Sequence, residues 1–319
     1  VLGVARDTDG RIEIFLRGER VAPLLKVVRD AIDYRVVHRK GHPPFDASRV
    51  LLPAIDYFDN VAAFICTELL RTGVDDTLEA AFAATEPLIA LAINQFMLTQ
   101  DAVIGLAGEL LVLDALCRRA EGSQIALVVS GWQGWKRSAR DLTVGGVGIE
   151  VKTTVQAFSI HHIEGTHQVE VQTNSGGANS EDSLILISVG LQHDVSGDSG
   201  FTIPMLVDRI VSRMEHADAS EGTIATFLAR LSEYGNSTGG GYVHSAESTQ
   251  PQYLQAFHPA FMRAYDMADP EIAIPRTEGL VDFIHLQPDS IKFEVRLPAT
   301  LNSTNPVAGA NRIAKAIIG

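Results

Sequence analysis

Apolar positions change period along the chain, and the changes mark its elements. After the Asp9-Gly10 turn, Arg11-Ile12-Glu13-Ile14-Phe15-Leu16 alternates with period two, which predicts a hairpin. Residues 1–60 are read as strand-rich, with 21–32 a short helix or a third strand and 50–55 a further strand. Phe58, Val61, Phe64, Ile65, Leu69 and Leu70 then recur three and four apart, the helical spacing, and Gly73 is the stop. A second helix is predicted over 76–84 and a third from Thr85-Glu86-Pro87, because proline suits a first turn and not an interior. Residues 100–120 carry the strongest helical pattern. Ile104, Ala107, Leu110, Leu111 and Leu116 make its apolar side, and Arg118-Arg119 suit its C-terminal end. Residues 124–129 read as a short apolar strand, 153–163 as strand, and the uninterrupted apolar run 183–189 as a strand buried on both faces. Helices follow at 204–214 and 222–231. Strands are predicted at 253–257, 261–267, 281–286 and 291–297, with a linker at 298–311 and a short helix at 313–318.

One stretch breaks the apolar pattern with charge. Asp141-Leu-Thr-Val-Gly-Gly-Val-Gly-Ile-Glu-Val-Lys152 reads as two strands joined by a glycine-rich turn. Asp141 and Thr143 share a face of the first strand, and Glu150 and Lys152 share a face of the second, opposite Ile149 and Val151. Charges on so apolar a scaffold are costly unless they pair or bind a metal. The alternative is an edge hairpin with a cross-strand salt bridge. Upstream, Glu109 lies at the edge of the apolar side of the 100–120 helix, where a surface carboxylate is the competing reading.

Composition narrows the function. Net charge is −13, so a chain that grips nucleic acid needs a local basic patch, a metal or a partner. Lys136, Arg137 and Arg140, just before Asp141, are candidate phosphate contacts. Arg35, His38, Arg39, Lys40 and His42 form a second basic cluster. His161, His162 and His167 lack the partners and spacing of a zinc site and read as strand and turn histidines. The glycines at 145–148 lack the Lys-Ser/Thr of a phosphate-binding loop. Cys66 and Cys117, each in an apolar run, read as buried free thiols, which fits a reducing cytoplasm. The chain opens at Val1 with no signal-peptide pattern, and its longest uncharged stretch, 87–100, is too short to span a bilayer.

The order helix with Gly108-Glu109-Leu110, strand with Asp141, hairpin, Glu150-Val151-Lys152 resembles the core of the PD-(D/E)xK nucleases. Arg140 stands where many of them have proline. More narrowly, the chain resembles the bacterial "PD-(D/E)xK motif protein" family of restriction and phage-defence loci. Residues 201–207, Gly241-Tyr242, Tyr253 and the stretch 281–297 are similar to that family's flanking regions. The resemblance implies an α/β (α+β) fold with a restriction-endonuclease-like αβββαβ core. That gives an N-terminal α/β region at 1–98, the nuclease core at 99–200, and a C-terminal helical and β-rich region at 201–319.

The same resemblance implies a cytoplasmic, Mg²⁺-dependent DNA endonuclease, with Mn²⁺ as a substitute. Asp141, Glu150 and the Val151 carbonyl would be the metal ligands, and Glu109 an outer ligand through water or to a second metal. Lys152 would face the attacking water or the scissile phosphate. Gln168 resembles the polar residue that many of these nucleases carry after the lysine strand. DNA, protein subunits of a restriction or defence complex and a second copy of the chain are the partners so implied, with no membrane. The alternative is a catalytically silent nuclease-like scaffold that binds protein partners, and a nuclease acting on RNA or branched DNA is a third possibility.

Overall fold

The computed structural model describes residues 1–7, 11–52, 58–96, 98–136, 138, 140–171, 181–194, 200–235, 241–287 and 290–319. The chain divides into two units, Val1–Leu98 with Gly235–Gly241, and Thr99–Tyr234 with Tyr242–Gly319. In the second unit, strands from both sides of residue 200 pair in one sheet.

The first unit carries β1 (Leu2–Arg6), β2 (Ile12–Arg17), α1 (Lys26–Asp30), β3 (Ile32–Val37), β4 (Phe45–Leu52), α2 (Phe58–Arg71) and α3 (Leu78–Phe96). Its strands form an antiparallel sheet in the order β1-β2-β4-β3. The alternation in β2 does what period two requires: Ile12, Ile14 and Leu16 enter a core with Ile65 and Leu69 of α2 and Phe82 and Ile89 of α3. On the other face Arg49 bridges three strands, reaching Glu13 and Asp33 at 2.6 Å each.

Two expected helices here are one. α3 runs through Pro87, which is exposed, as is Ala83 one turn before it. The carbonyl that loses its i+4 partner therefore faces water, while Ile89, Ala90 and Ile93 hold the following turns to the core. Pro87→Ala is expected to stabilise the protein by about 1 to 3 kcal/mol. Urea unfolding measures it, and an unchanged or lower midpoint would contradict this account.

The second unit begins with α4 (Gln100–Arg119), whose N-cap Thr99 accepts from the Ala102 N–H at 3.2 Å. It continues with α5 (Gln124–Ser130), β5 (Leu142–Val144), β6 (Val147–Thr154), β7 (Ser159–Ile163), a 3-10 turn (Thr166–Gln168), β8 (Ser183–His193), α6 (Ile203–His216) and α7 (Glu221–Glu233). Last come α8 (His244–Glu247), β9 (Phe257–Asp266), α9 (Thr277–Leu280), β10 (Phe293–Leu297), β11 (Val307–Ala308) and α10 (Ala310–Ile318). The main sheet has the order β11-β9-β8-β6-β5, in which only β6 and β8 are parallel. β8 is central, and Leu184, Leu186, Ile187 and Val189 are fully buried, as its unbroken apolar run requires. α4 is buried on nearly every side from Leu106 to Cys117, because it packs on β6 and β8 on one side and on α6 and α10 on another.

Several expected elements differ. Residues 124–129 are helix α5 and not the first core strand, and the outer neighbour of β5 is a single bridge, Trp132 to Leu142. Strand 153–163 breaks after Thr154, and β7 leaves the main sheet to pair with β10. The expected strand at 281–286 is absent: turns occupy it, directly after the short helix α9. The supposed linker at 298–311 contains β11 and the start of α10. Cys117 is buried as expected, but Cys66 is half-buried, and both are free. The polar loops expected at 174–182 and 194–200 and the glycine turn at 239–241 fall largely outside the described residues. Among the described residues no helix is long and apolar enough to cross a membrane.

Candidate active site

Close packing brings α4 to the sheet. A Cβ on Gly108 would stand 1.9 Å from Thr153 Oγ1, so only glycine admits this approach of α4 to β6. The next residue, Glu109, is 6% exposed, and both its carboxylate oxygens are held. Trp132 Nε1 donates to Oε2 at 2.7 Å, and the Tyr234 hydroxyl donates to Oε1 at 2.8 Å. The two aromatic rings stack on each other, with centroids 6.1 Å apart. Gly134 leaves room for the carboxylate, since a Cβ there would lie 1.8 Å from Oε2.

The hairpin supplies the other charges. Its turn places Gly145 at φ +59°, where glycine is favoured. Asp141 lies just before β5. Its N–H donates to the Ile149 carbonyl at 3.1 Å, and its Oδ2 accepts from the Val151 N–H at 2.7 Å. In a strand the N–H and C=O of one residue point to the same edge, so the Val151 carbonyl is directed to the Asp141 side. Lys152 Nζ lies 2.9 Å from Glu150 Oε1 and donates to Gln168 Oε1 at 3.1 Å. That amide oxygen also accepts from the Glu164 N–H, which fixes its orientation. The five expected site residues Glu109, Asp141, Glu150, Lys152 and Gln168 thus converge.

Electrostatically the cluster lacks positive charge. Burial pushes the Glu109 carboxyl well up, and the Asp141 charge adds to it. Burial and then Glu150 push Asp141 up to about 7. Burial raises Glu150 too, with Lys152 opposing it. Three carboxyls, Glu109 and Glu150 buried and Asp141 half-buried, facing one ammonium attract a further cation or hold protons. Among the described residues no three His, Cys, Asp or Glu side chains are spaced to hold a metal. The donor set on offer is two carboxylates, Asp141 and Glu150, with one backbone carbonyl. That suits Mg²⁺, which takes one or two carboxylates and keeps several waters.

The expected basic edge is reduced. Arg140 is 3% exposed and cannot contact DNA as it stands. It donates to the carbonyls of His167 at 2.6 Å and Glu170 at 2.5 Å, and its Nε pairs with Glu181 at 2.8 Å. It ties the turn after β7 and the entry to β8 against the hairpin. Arg140→Ala would strip buried Glu181 of this cation and is expected to cost about 3 to 5 kcal/mol in urea unfolding. Arg140→Lys should recover little, because an ammonium cannot reproduce the fork. A loss under about 1 kcal/mol would contradict this account.

Lys136 is exposed and lies over the Trp135 ring at 5.5 Å, while Arg137 lies outside the described residues. The cluster from Arg35 to His42 belongs to the first unit, where its charged side chains are exposed. The three histidines do not converge. His161 is buried with Nε2 2.7 Å from Ser188 Oγ, and burial and then Lys152 push it down to about 4. Trp132 and Tyr234, which hold Glu109, carried no signal in sequence: Tyr234 is 125 positions away.

No curated protein and no solved structure matches the chain. A family model described as "Putative PD-(D/E)XK family member, (DUF4420)" matches residues 53–252. The match covers more than half of the chain and includes Glu109, Asp141, Glu150, Lys152 and Gln168. The chain, with its mixed helices and sheets and its PD-(D/E)XK-like domain, belongs to this family.

Proposed function

We propose that this protein is a metal-dependent DNA endonuclease, a cytoplasmic subunit of a bacterial restriction or phage-defence system. The observation that carries the reading is the convergence of Asp141 and Glu150 with Lys152 on one edge of β6. Asp141, Glu150 and the Val151 carbonyl would hold Mg²⁺, or Mn²⁺ in its place, with Glu109 acting through water. The ion supplies a nucleophilic water at neutral pH and neutralises charge on the phosphate oxygens. Lys152 sits beside Glu150, where its ammonium orients the water or meets the developing charge. Gln168 holds Lys152 from the other side. Trp132 and Tyr234 fix Glu109 in a single orientation, and the Val151 N–H fixes Asp141. With Arg140 buried, protein partners or a second copy of the chain would supply most of the grip on DNA.

The competing reading, a silent scaffold for partner proteins, is favoured by the use Glu109 makes of both its oxygens on Trp132 and Tyr234. Calorimetry with Mg²⁺ and Mn²⁺, followed by nicking of supercoiled plasmid, separates the two. Saturable metal binding with metal-dependent nicking supports the nuclease. Absence of both, including in a complex with partner subunits, supports the scaffold.

A further inference from the structure

A second charged cluster lies on the far side of α4. Asp114 and Arg118 are turned about 140° and 180° from Glu109 around the helix axis, at 3.6 residues per turn. Asp114 is buried and faces α6, where Arg209 Nε stands at 3.5 Å and Arg213 Nε at 3.4 Å. Both contacts are long and made through Nε, so the terminal nitrogens of both forks are left for another acceptor. Arg118, one turn beyond Asp114, and Arg312, in the first turn of α10, have no carboxylate partner among the described residues. α10 itself begins after Gly309 with no side-chain cap and no acidic residue in its first turn. Its positive end carries Arg312 instead, against the usual preference for acids there.

A cavity of about 650 Å³ opens on all four arginines and on the start of α10. Leu111, Phe201, Phe261 and Met262 add apolar surface to its lining. An adjoining cavity of about 700 Å³ shares Arg118, Arg209 and Arg213. Four guanidinium groups and a helix N-terminus line it with a single carboxylate, an excess of positive charge on a chain of net charge −13. The volume is that of a small-ligand site, and a lining both cationic and apolar suits a ligand with both characters.

We propose that this cavity is a nucleotide-binding site, independent of the carboxylate cluster. The arginine forks and the α10 N-terminus take the phosphates, and the apolar side chains of the lining take the base. Arg118 and Arg312 are the variants of choice, because neither supports buried Asp114. Calorimetry in EDTA, which removes any metal-mediated binding, would titrate ATP, pyrophosphate and adenosine into the wild type and into R118E/R312E. ATP should bind more tightly than pyrophosphate, and adenosine weakest. The double variant should weaken ATP at least about tenfold while its unfolding curve stays that of the wild type. The proposal is overturned if the wild type does not bind ATP, or binds it no better than pyrophosphate, or if the double variant binds it equally well. It is also overturned if the double variant loses affinity for duplex DNA alone, since the arginines would then line a nucleic-acid path.

Discussion

Asp141→Ala and Lys152→Ala are each expected to lower metal-dependent DNA cleavage by about 10²- to 10³-fold with the fold retained. The two losses should differ in kind. Half-buried Asp141 is one of two carboxylates beside β6, and its removal takes away a donor for the cation along with the acceptor for the Val151 N–H. Metal binding by calorimetry should therefore weaken with activity. Lys152 offers no donor to a cation, and its ammonium, 2.9 Å from Glu150, opposes one. Lys152→Ala should bind Mg²⁺ at least as tightly as the wild type and still fail to cleave. That split assigns the lysine to the water or the phosphate rather than to the metal. If both variants nick plasmid at the wild-type rate, the cluster is not the catalytic site. If both lose activity and metal binding together, Lys152 organises the site and has no separate chemical part.

The site was legible where local pattern and chemistry coincide, and obscure where it depends on distant packing. α4, β6 and β8 followed from long runs whose period admits one structure each. Their charged residues, Glu109, Asp141, Glu150 and Lys152, stood out because carboxylates on apolar elements need a reason. The run 124–129 was different. Gln124 and five apolar residues after it fit a strand or a buried helix equally, and contacts with α4 and α7 decide for the helix. Arg140 misled for a related reason. In sequence it continues a basic loop, and its partner Glu181 lies 41 positions away, beyond the reach of any local pattern. The aromatic pair on Glu109 is the same case, with Trp132 and Tyr234 arriving from separate parts of the chain. Burial of α4 on two sides also explains how the arginine cavity went unread: Asp114 and Arg118 belong to a face covered by α6 and α10, which follow about 90 and 190 positions later.

In the absence of divalent metal, Asp141→Asn is expected to be more stable than the wild type at pH 8 and nearly equal to it at pH 4. The Asp141 carboxyl is lifted from 3.8 to about 7, first by burial and then by the charge of Glu150. The folded state therefore holds this proton more tightly than the unfolded chain does. Stability from the group is present below about pH 4, is lost as pH rises toward 7, and stays lost above. At about 1.4 kcal/mol for each tenfold change in proton affinity, the ceiling is roughly 4 kcal/mol. Asparagine keeps an oxygen for the Val151 N–H and carries no charge, so the variant escapes the loss. A bound divalent cation answers the same repulsion. Adding Mg²⁺ at pH 8 should raise the wild-type unfolding midpoint and leave Asp141→Asn much less affected. Urea unfolding at pH 4, 6 and 8, with and without Mg²⁺, measures all of this. A variant less stable than the wild type at pH 8 without metal would mean that Asp141 is held by contacts stronger than its repulsion. The cluster would then be a structural ion network, and the drive to take up a cation would be gone.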